Sequence, residues 1–96
     1  MKITIRSFLT LRDVMGDQSA LELEIGSLTL IELLNELSYM FGDRFSQMVF
    51  DQAGKGLNPD IKILINGRHY SHIPQKLNTR LQEGDDVSLF PPIMGG

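Results

Sequence analysis

The sequence predicts a two-layer α+β domain, a mixed sheet of four to five strands with one main helix packed on one face. Three observations predict it. Segments near both ends alternate apolar and polar residues with the period of a half-buried strand. One central segment repeats apolar residues at helical spacing behind a capping box. Asn66-Gly67, between two β-like stretches, is a strong two-residue hairpin signal. A single amphipathic helix covers one face of a sheet, which makes two layers.

The elements follow in order. Met1, Ile3 and Ile5 alternate with Lys2, Thr4 and Arg6 as a first strand, and Gly16-Asp17 falls in the turn region after it. Leu21, Leu23 and Ile25 alternate with Glu22 and Glu24 as a second strand, paired with the first in a hairpin, and Gly26 ends it. In Thr29-Leu30-Ile31-Glu32 the hydroxyl and the carboxylate each satisfy an otherwise unpaired amide. Leu30, Leu33, Leu34, Leu37 and Phe41 then form one helical stripe, and Gly42 stands where a left-handed cap is expected. Phe45, Met48, Val49 and Phe50 fit one short helix, and Asp51 to Pro59 reads as an irregular loop or short hairpin. Ile61, Ile63 and Ile65 make a third strand, with Arg68-His69-Tyr70 returning after Asn66-Gly67. Leu77 and Leu81 pack beneath a connection ending in the turn Gln82-Glu83-Gly84-Asp85. Val87 and Leu89 mark the last strand, which Pro91 terminates because proline has no donor for a ladder. A hairpin, a crossing helix and further strands is the order of a β-grasp domain. In it the last strand lies beside the first, so whatever follows leaves from mid-sheet.

Ninety-six residues make one domain, 1–96, with a projecting tail over 91–96. With 42% hydrophobic and 22% charged residues, the chain is of ordinary globular composition and can bury a core without staples. It has no cysteine, which excludes disulfides, thiolate metal sites and a cysteine nucleophile together. The net charge of -3 argues against nucleic acid, whose phosphates want a basic stripe. No apolar run approaches the ~20 residues of a membrane span, and no signal-peptide pattern is present. A cytoplasmic domain with no membrane partner is the expectation.

The tail concentrates the chemistry. Phe90-Pro91-Pro92-Ile93-Met94 is a stiff apolar approach to Gly95 and Gly96. The prolines fix φ and lack donors, favouring an extended exit. Glycine has no Cβ and passes through gaps that exclude other residues. A slender segment ending in a free carboxylate suits delivery into a deep pocket on another protein. The plain alternative is a frayed terminus that happens to be glycine-rich.

Three stretches carry a resemblance over nearly the whole chain. They are Leu11-Arg12-Asp13-Val14-Met15-Gly16, Leu64-Ile65-Asn66-Gly67-Arg68, and Leu81 to Val87 continued by Phe90 to Gly96. The chain resembles the MoaD/ThiS sulfur-carrier family of ubiquitin-like β-grasp proteins, and within it the small subunit of molybdopterin synthase. The last stretch is the most specific, and its double proline points to the molybdopterin branch over the thiamin branch. His69-Tyr70-Ser71-His72 departs from the commonest molybdopterin pattern and leaves ubiquitin-like modifiers and tungstopterin-associated carriers open.

The resemblance implies the chemistry of Gly96. A ubiquitin-activating-type adenylating enzyme joins its carboxylate to AMP, and a persulfide sulfur donor converts the glycyl-adenylate to a thiocarboxylate. In the molybdopterin case the sulfur passes to a pterin precursor in the large subunit of molybdopterin synthase. Gly95 is implied to act with Gly96, and no bound cofactor or metal is expected. The sequence fits that division of labour, having no sulfur nucleophile and no Walker-type phosphate loop of its own. An independent active site is not expected, only the sulfur-carrying part of a larger sulfurtransferase.

The residues also locate a docking surface. Val87 and Leu89 share one strand face, so Phe90 points the other way; Leu64 likewise opposes Ile63 and Ile65, and Phe8 opposes Ile3 and Ile5 if the strand continues. Phe8, Leu64 and Phe90 on the helix-free face, with Pro91, Pro92, Ile93 and Met94 beside them, are the predicted partner-binding set. The alternative is a small second core beneath Phe45 to Pro59. His69 and His72 would point to opposite faces of a strand, with no third metal ligand evident. Glu83, Asp85 and Asp86 read as solvated turn carboxylates, and Arg12 as a partner of Asp13 or of a carboxylate on another protein. Besides sulfur carriage, two functions stay open: a protein modifier joined through Gly96 to lysine, and a β-grasp interaction domain with no activated terminus.

Overall fold

A computed structural model describes residues 1–51 and 56–92 of the chain. The strands are β1 (Lys2–Ser7), β2 (Ala20–Glu24), β3 (Lys62–Ile65), β4 (Arg68–His69) and β5 (Asp86–Phe90). The helices are α1 (Thr10–Val14), α2 (Leu30–Phe41) and α3 (Asp43–Val49), with 3-10 turns at Tyr70–His72 and Lys76–Asn78. The five strands form one sheet in the order β2-β1-β5-β3-β4. β1 and β5 run parallel, and the other neighbours are antiparallel. This is the two-layer α+β arrangement of a ubiquitin-like β-grasp domain, and β5 occupies its middle.

Alternation sorts the sheet into two faces. In register, Ile3 faces Leu23, Ile5 faces Val87, and Ile63 faces Leu89, so one face is continuously apolar. α2 lays Leu30, Leu33, Leu34 and Leu37 onto it, all fully buried. Thr29 starts the helix as expected. Its hydroxyl accepts from the Glu32 amide at 3.3 Å, and the Glu32 carboxylate accepts from the Thr29 amide at 2.8 Å. That bond holds the Glu32 carboxyl below the ordinary glutamate range. Gly42, at φ 84, ends the helix in a conformation that side chains resist.

The structure adds to the sequence expectation at four places. The region after β1 is not turn alone, because α1 buries Leu11, and Met15 at its end is buried in the core as well. Five residues show no period of their own, so the chain offered no sign of it. Phe45 and Val49, read as part of a short helix, are on α3 and enter the same core as α2. The short-hairpin reading of the following stretch matches an antiparallel bridge between Phe50 and Leu57; residues 52–55 lie outside the described residues. Tyr70 is not in the returning strand but starts a 3-10 turn, and this overturns the opposite-face placement of the histidines. The His69 and His72 ring centroids are 6.0 Å apart. Among the described residues, no group of three or more His, Cys, Asp or Glu side chains is placed to hold a metal ion.

The turn before β5 is tied down by its own carboxylates. Asp85 accepts from the Gln82 amide and from the Asn66 side chain, at 2.8 and 2.9 Å. Glu83 accepts from the Lys2 amide at 3.0 Å, and Asp86 pairs with Arg6 at 2.7 Å. Asn66, at φ 52, also accepts from the Asp86 amide at 2.9 Å. The hairpin turn and the entry to β5 are therefore locked to each other. Arg12 makes no ion pair with Asp13 among the described residues, since adjacent helix positions do not face one another. No helix among the described residues is long and apolar enough to cross a membrane.

Candidate functional site at the root of the C-terminal tail

β5 is hydrogen-bonded to β1 on one side and β3 on the other, so its direction is set by two ladders. Its burial alternates, with Val87 and Leu89 in the core and Asp86, Ser88 and Phe90 on the helix-free face. The strand therefore delivers Phe90 to that face and the chain beyond it to one end of the sheet. Pro91 follows, buried, and Pro92 is half-buried. Ile93, Met94, Gly95 and Gly96 lie outside the described residues.

At this root the predicted aromatic pair meets. β1 ends at Ser7, yet the Phe8 ring stacks on Phe90 with centroids 4.3 Å apart and planes 13° from parallel. Offset stacking at such distances adds about 0.5–1.5 kcal/mol beyond the area it buries. Lys62, the register partner of Phe90 on β3, holds its ammonium 5.9 Å from the ring centroid. The ammonium therefore covers the same ring from the β3 side, within cation–π range.

Beside the stack lies a cavity of about 390 Å³ lined by Leu9, Asp60, Lys62, Phe90 and Pro91. A smaller one, about 270 Å³, lies against Asp60, Met48 and Pro92. Leu9 is 67% exposed and sits at φ 56, a left-handed conformation that bulky side chains avoid. The third predicted residue, Leu64, is on the same face but one step removed. It shares with Lys62, Arg68 and His72 an open depression of about 600 Å³. The structure thus joins Phe8 to Phe90 and sets Leu64 beyond Lys62.

Leu9, Asp60 and Lys62 were absent from the sequence expectation. Lys62 was legible as the polar partner of an alternating strand, but its place over Phe90 depends on the β3–β5 register. Asp60 precedes the strand, and Leu9 belongs to the same unforeseen segment as α1. The arrangement offers an apolar platform edged by Lys62 and Asp60 where the tail leaves the domain.

Comparison with known proteins accords with this geometry. The model of the ThiS family matches residues 5–96. Small archaeal modifier protein 3 of Haloferax volcanii is 31% identical over 96 residues, the whole of both chains. A protein of Archaeoglobus fulgidus named "Putative sulfur carrier protein" is 32% identical over 80 residues, 83% of this chain and 88% of that one. The solution structure of small archaeal modifier protein 1 from Methanosarcina acetivorans superposes with a TM-score of 0.77 at 26% identity, covering 99% of this chain and 96% of that one.

Proposed function

The chain belongs to the ThiS family, and from that premise we propose that it is a ubiquitin-like sulfur carrier charged at the carboxylate of Gly96. The observation that carries the reading is the reach of the family match through Gly95 and Gly96, on a fold whose central strand β5 ends at Phe90 just before the tail sequence.

A carboxylate resists nucleophiles because of its charge and because oxide is a poor leaving group. A partner adenylating enzyme removes both obstacles. The Gly96 carboxylate attacks the α-phosphorus of ATP, pyrophosphate leaves, and AMP becomes the leaving group. The terminal sulfur of a partner persulfide attacks the acyl carbon and expels AMP, giving an acyl disulfide. A second thiol cleaves the S–S bond, forms a disulfide with the donor and releases the Gly96 thiocarboxylate. This chain has no cysteine, so every thiol comes from a partner. Its own part is to present the terminus. Pro91, Pro92, Ile93 and Met94 span the distance, Gly95 and Gly96 pass the narrow part of the partner's pocket, and Phe8, Phe90 and Leu64 dock the domain. The receiving step we assign to a pterin precursor held by the large subunit of a molybdopterin-synthase-type enzyme, on the strength of the double proline.

A second reading keeps the adenylation and changes the acceptor. The Haloferax volcanii relative, named a modifier protein and matched over its full length, favours transfer of Gly96 to a lysine. Intact mass separates the two. After incubation with the cognate activator, ATP and sulfur donor, exchange of one oxygen for sulfur is the expected result. Lysine-linked adducts without that exchange overturn sulfur carriage in favour of modification. Failure to form any acyl-adenylate overturns both.

A further inference from the structure

At the opposite side of the sheet from β4, β2 is the last strand. The phase of its ladder is set by its ends: the Ile25 amide donates to the Met1 carbonyl at 2.8 Å, and the Ser7 amide to the Ser19 carbonyl at 3.2 Å. Antiparallel ladders alternate, so residues 19, 21, 23 and 25 turn their backbone groups toward β1. Glu22 and Glu24 turn theirs outward, to the open edge. An edge of this kind is a template for another strand.

Beside that edge the molecule has a groove. Leu23, Ile25 and Leu28 on one side and Leu33 and Met40 on the other enclose about 390 Å³, with Glu24 and Glu36 among the lining residues. α2 leaves Met40, which lines the groove, 50% exposed, one of the most exposed large apolar side chains among the described residues. Side chains of paired residues share a face, so a strand added to β2 would place alternate residues over this groove and the others beside Glu22 and Glu24.

The charges choose the occupant. Glu22 stands opposite the neutral Thr4, whereas Glu24 stands opposite Lys2 and 3.7 Å from the Met1 ammonium. Of the two edge carboxylates, Glu22 therefore has the more to offer a newcomer. A second copy of this chain paired antiparallel over the whole of β2 would bring Glu22 against Glu22, and like charges directly opposite are destabilising. We propose that the β2 edge and the adjoining α2 groove bind an extended peptide segment of basic–apolar–basic pattern, added antiparallel as a sixth strand. Its basic side chains lie against Glu22 and Glu24, and its apolar side chain enters the groove between Leu23 and Met40. Main-chain bonds supply affinity, and the alternating side chains supply selection. The surface is independent of Gly96 and of its charging.

The test uses the full chain and an amidated nonapeptide of alternating lysine and valine, with amide hydrogen exchange as readout. Expected are protection of the Glu22 and Glu24 amides, unchanged exchange at Leu21 and Leu23, and binding at least tenfold weaker for E22K. A second variant, Glu22→Pro, removes an outward amide while sparing the β1 ladder and is expected to abolish the protection. Charge-driven binding without protection of these two amides overturns the proposal. So does protection equal to wild type in Glu22→Pro, self-association through β2 in place of peptide binding, or no binding.

Discussion

The two strands flanking β1 use the same backbone in opposite ways. β5 has a neighbour on each side, so its amides and carbonyls are committed and recognition there falls to side chains and to the departing tail. β2 has a neighbour on one side, so its outer backbone groups are themselves available. The Phe8–Phe90 stack under the Lys62 ammonium, with Asp60 beside it, is an apolar surface of mixed charge. The groove between β2 and α2, with Glu24 and Glu36 beside Leu23 and Met40, is an apolar, anionic one. Position in the strand order, more than composition, decides which kind of contact each makes.

The largest effect is expected from blocking the tail. A short peptide appended after Gly96 should abolish acyl-adenylate formation, measured by pyrophosphate release with the cognate activator, while leaving the circular dichroism spectrum unchanged. Gly96→Ala should slow adenylation or transfer without unfolding the domain, because its methyl stands beside the reacting carbon. Wild-type thiocarboxylate formation in that variant would count against the steric argument.

Next comes proline placed on each strand. Ser88→Pro loses a ladder bond whichever neighbour its amide faces, leaving a buried carbonyl unpaired at about 1–3 kcal/mol before ring clashes are added. Glu22→Pro, at the open edge, should cost about 1 kcal/mol or less. Urea midpoints of the two variants measure the contrast, and equal losses would erase it.

Phe8→Ala comes third. It removes the stack at the tail root and should lower stability modestly, by about 1–2 kcal/mol including lost burial. It should lower kcat/KM for charging by a larger factor than the fold loss explains. A fall in stability with unchanged charging kinetics would make the pair purely structural.

The smallest effect is at the α2 cap. Thr29→Ala should cost about 1 kcal/mol by urea denaturation. The Glu32 carboxyl is held below its ordinary value by the Thr29 amide. A carboxyl depressed in the folded state stabilises above its unfolded pKa, and that contribution disappears as pH falls through the folded value. The stability difference between wild type and Glu32→Gln should therefore shrink on acidification below the ordinary glutamate range. A difference independent of pH would remove the carboxylate from the cap.

Much of this could be read residue by residue. Thr29, Glu32 and the leucines of α2 state both the start and the buried face of the helix. Period-two alternation likewise predicted which side chains of β1, β2, β3 and β5 face inward, including Phe90 and Leu64 outward. α1 was illegible because its five residues carry no period and its entry depends on Leu9 at positive φ. His69 and His72 were misplaced because a strand was extended one turn too far, and their approach follows from the 3-10 turn.

The chain by itself determined the inward faces of β1, β2, β3 and β5, the start and buried face of α2, and that the last strand is followed in sequence by a Pro-Pro and Gly-Gly tail. These depend on periodicity, caps and glycine or proline stereochemistry, which act over a few neighbouring residues. Tertiary structure alone decided that Lys62 covers Phe90, that Asp85 ties Asn66 to the entry of β5, and that Glu22 faces an open edge. Those relations join positions distant in sequence through strand order and register, which only the closed sheet establishes.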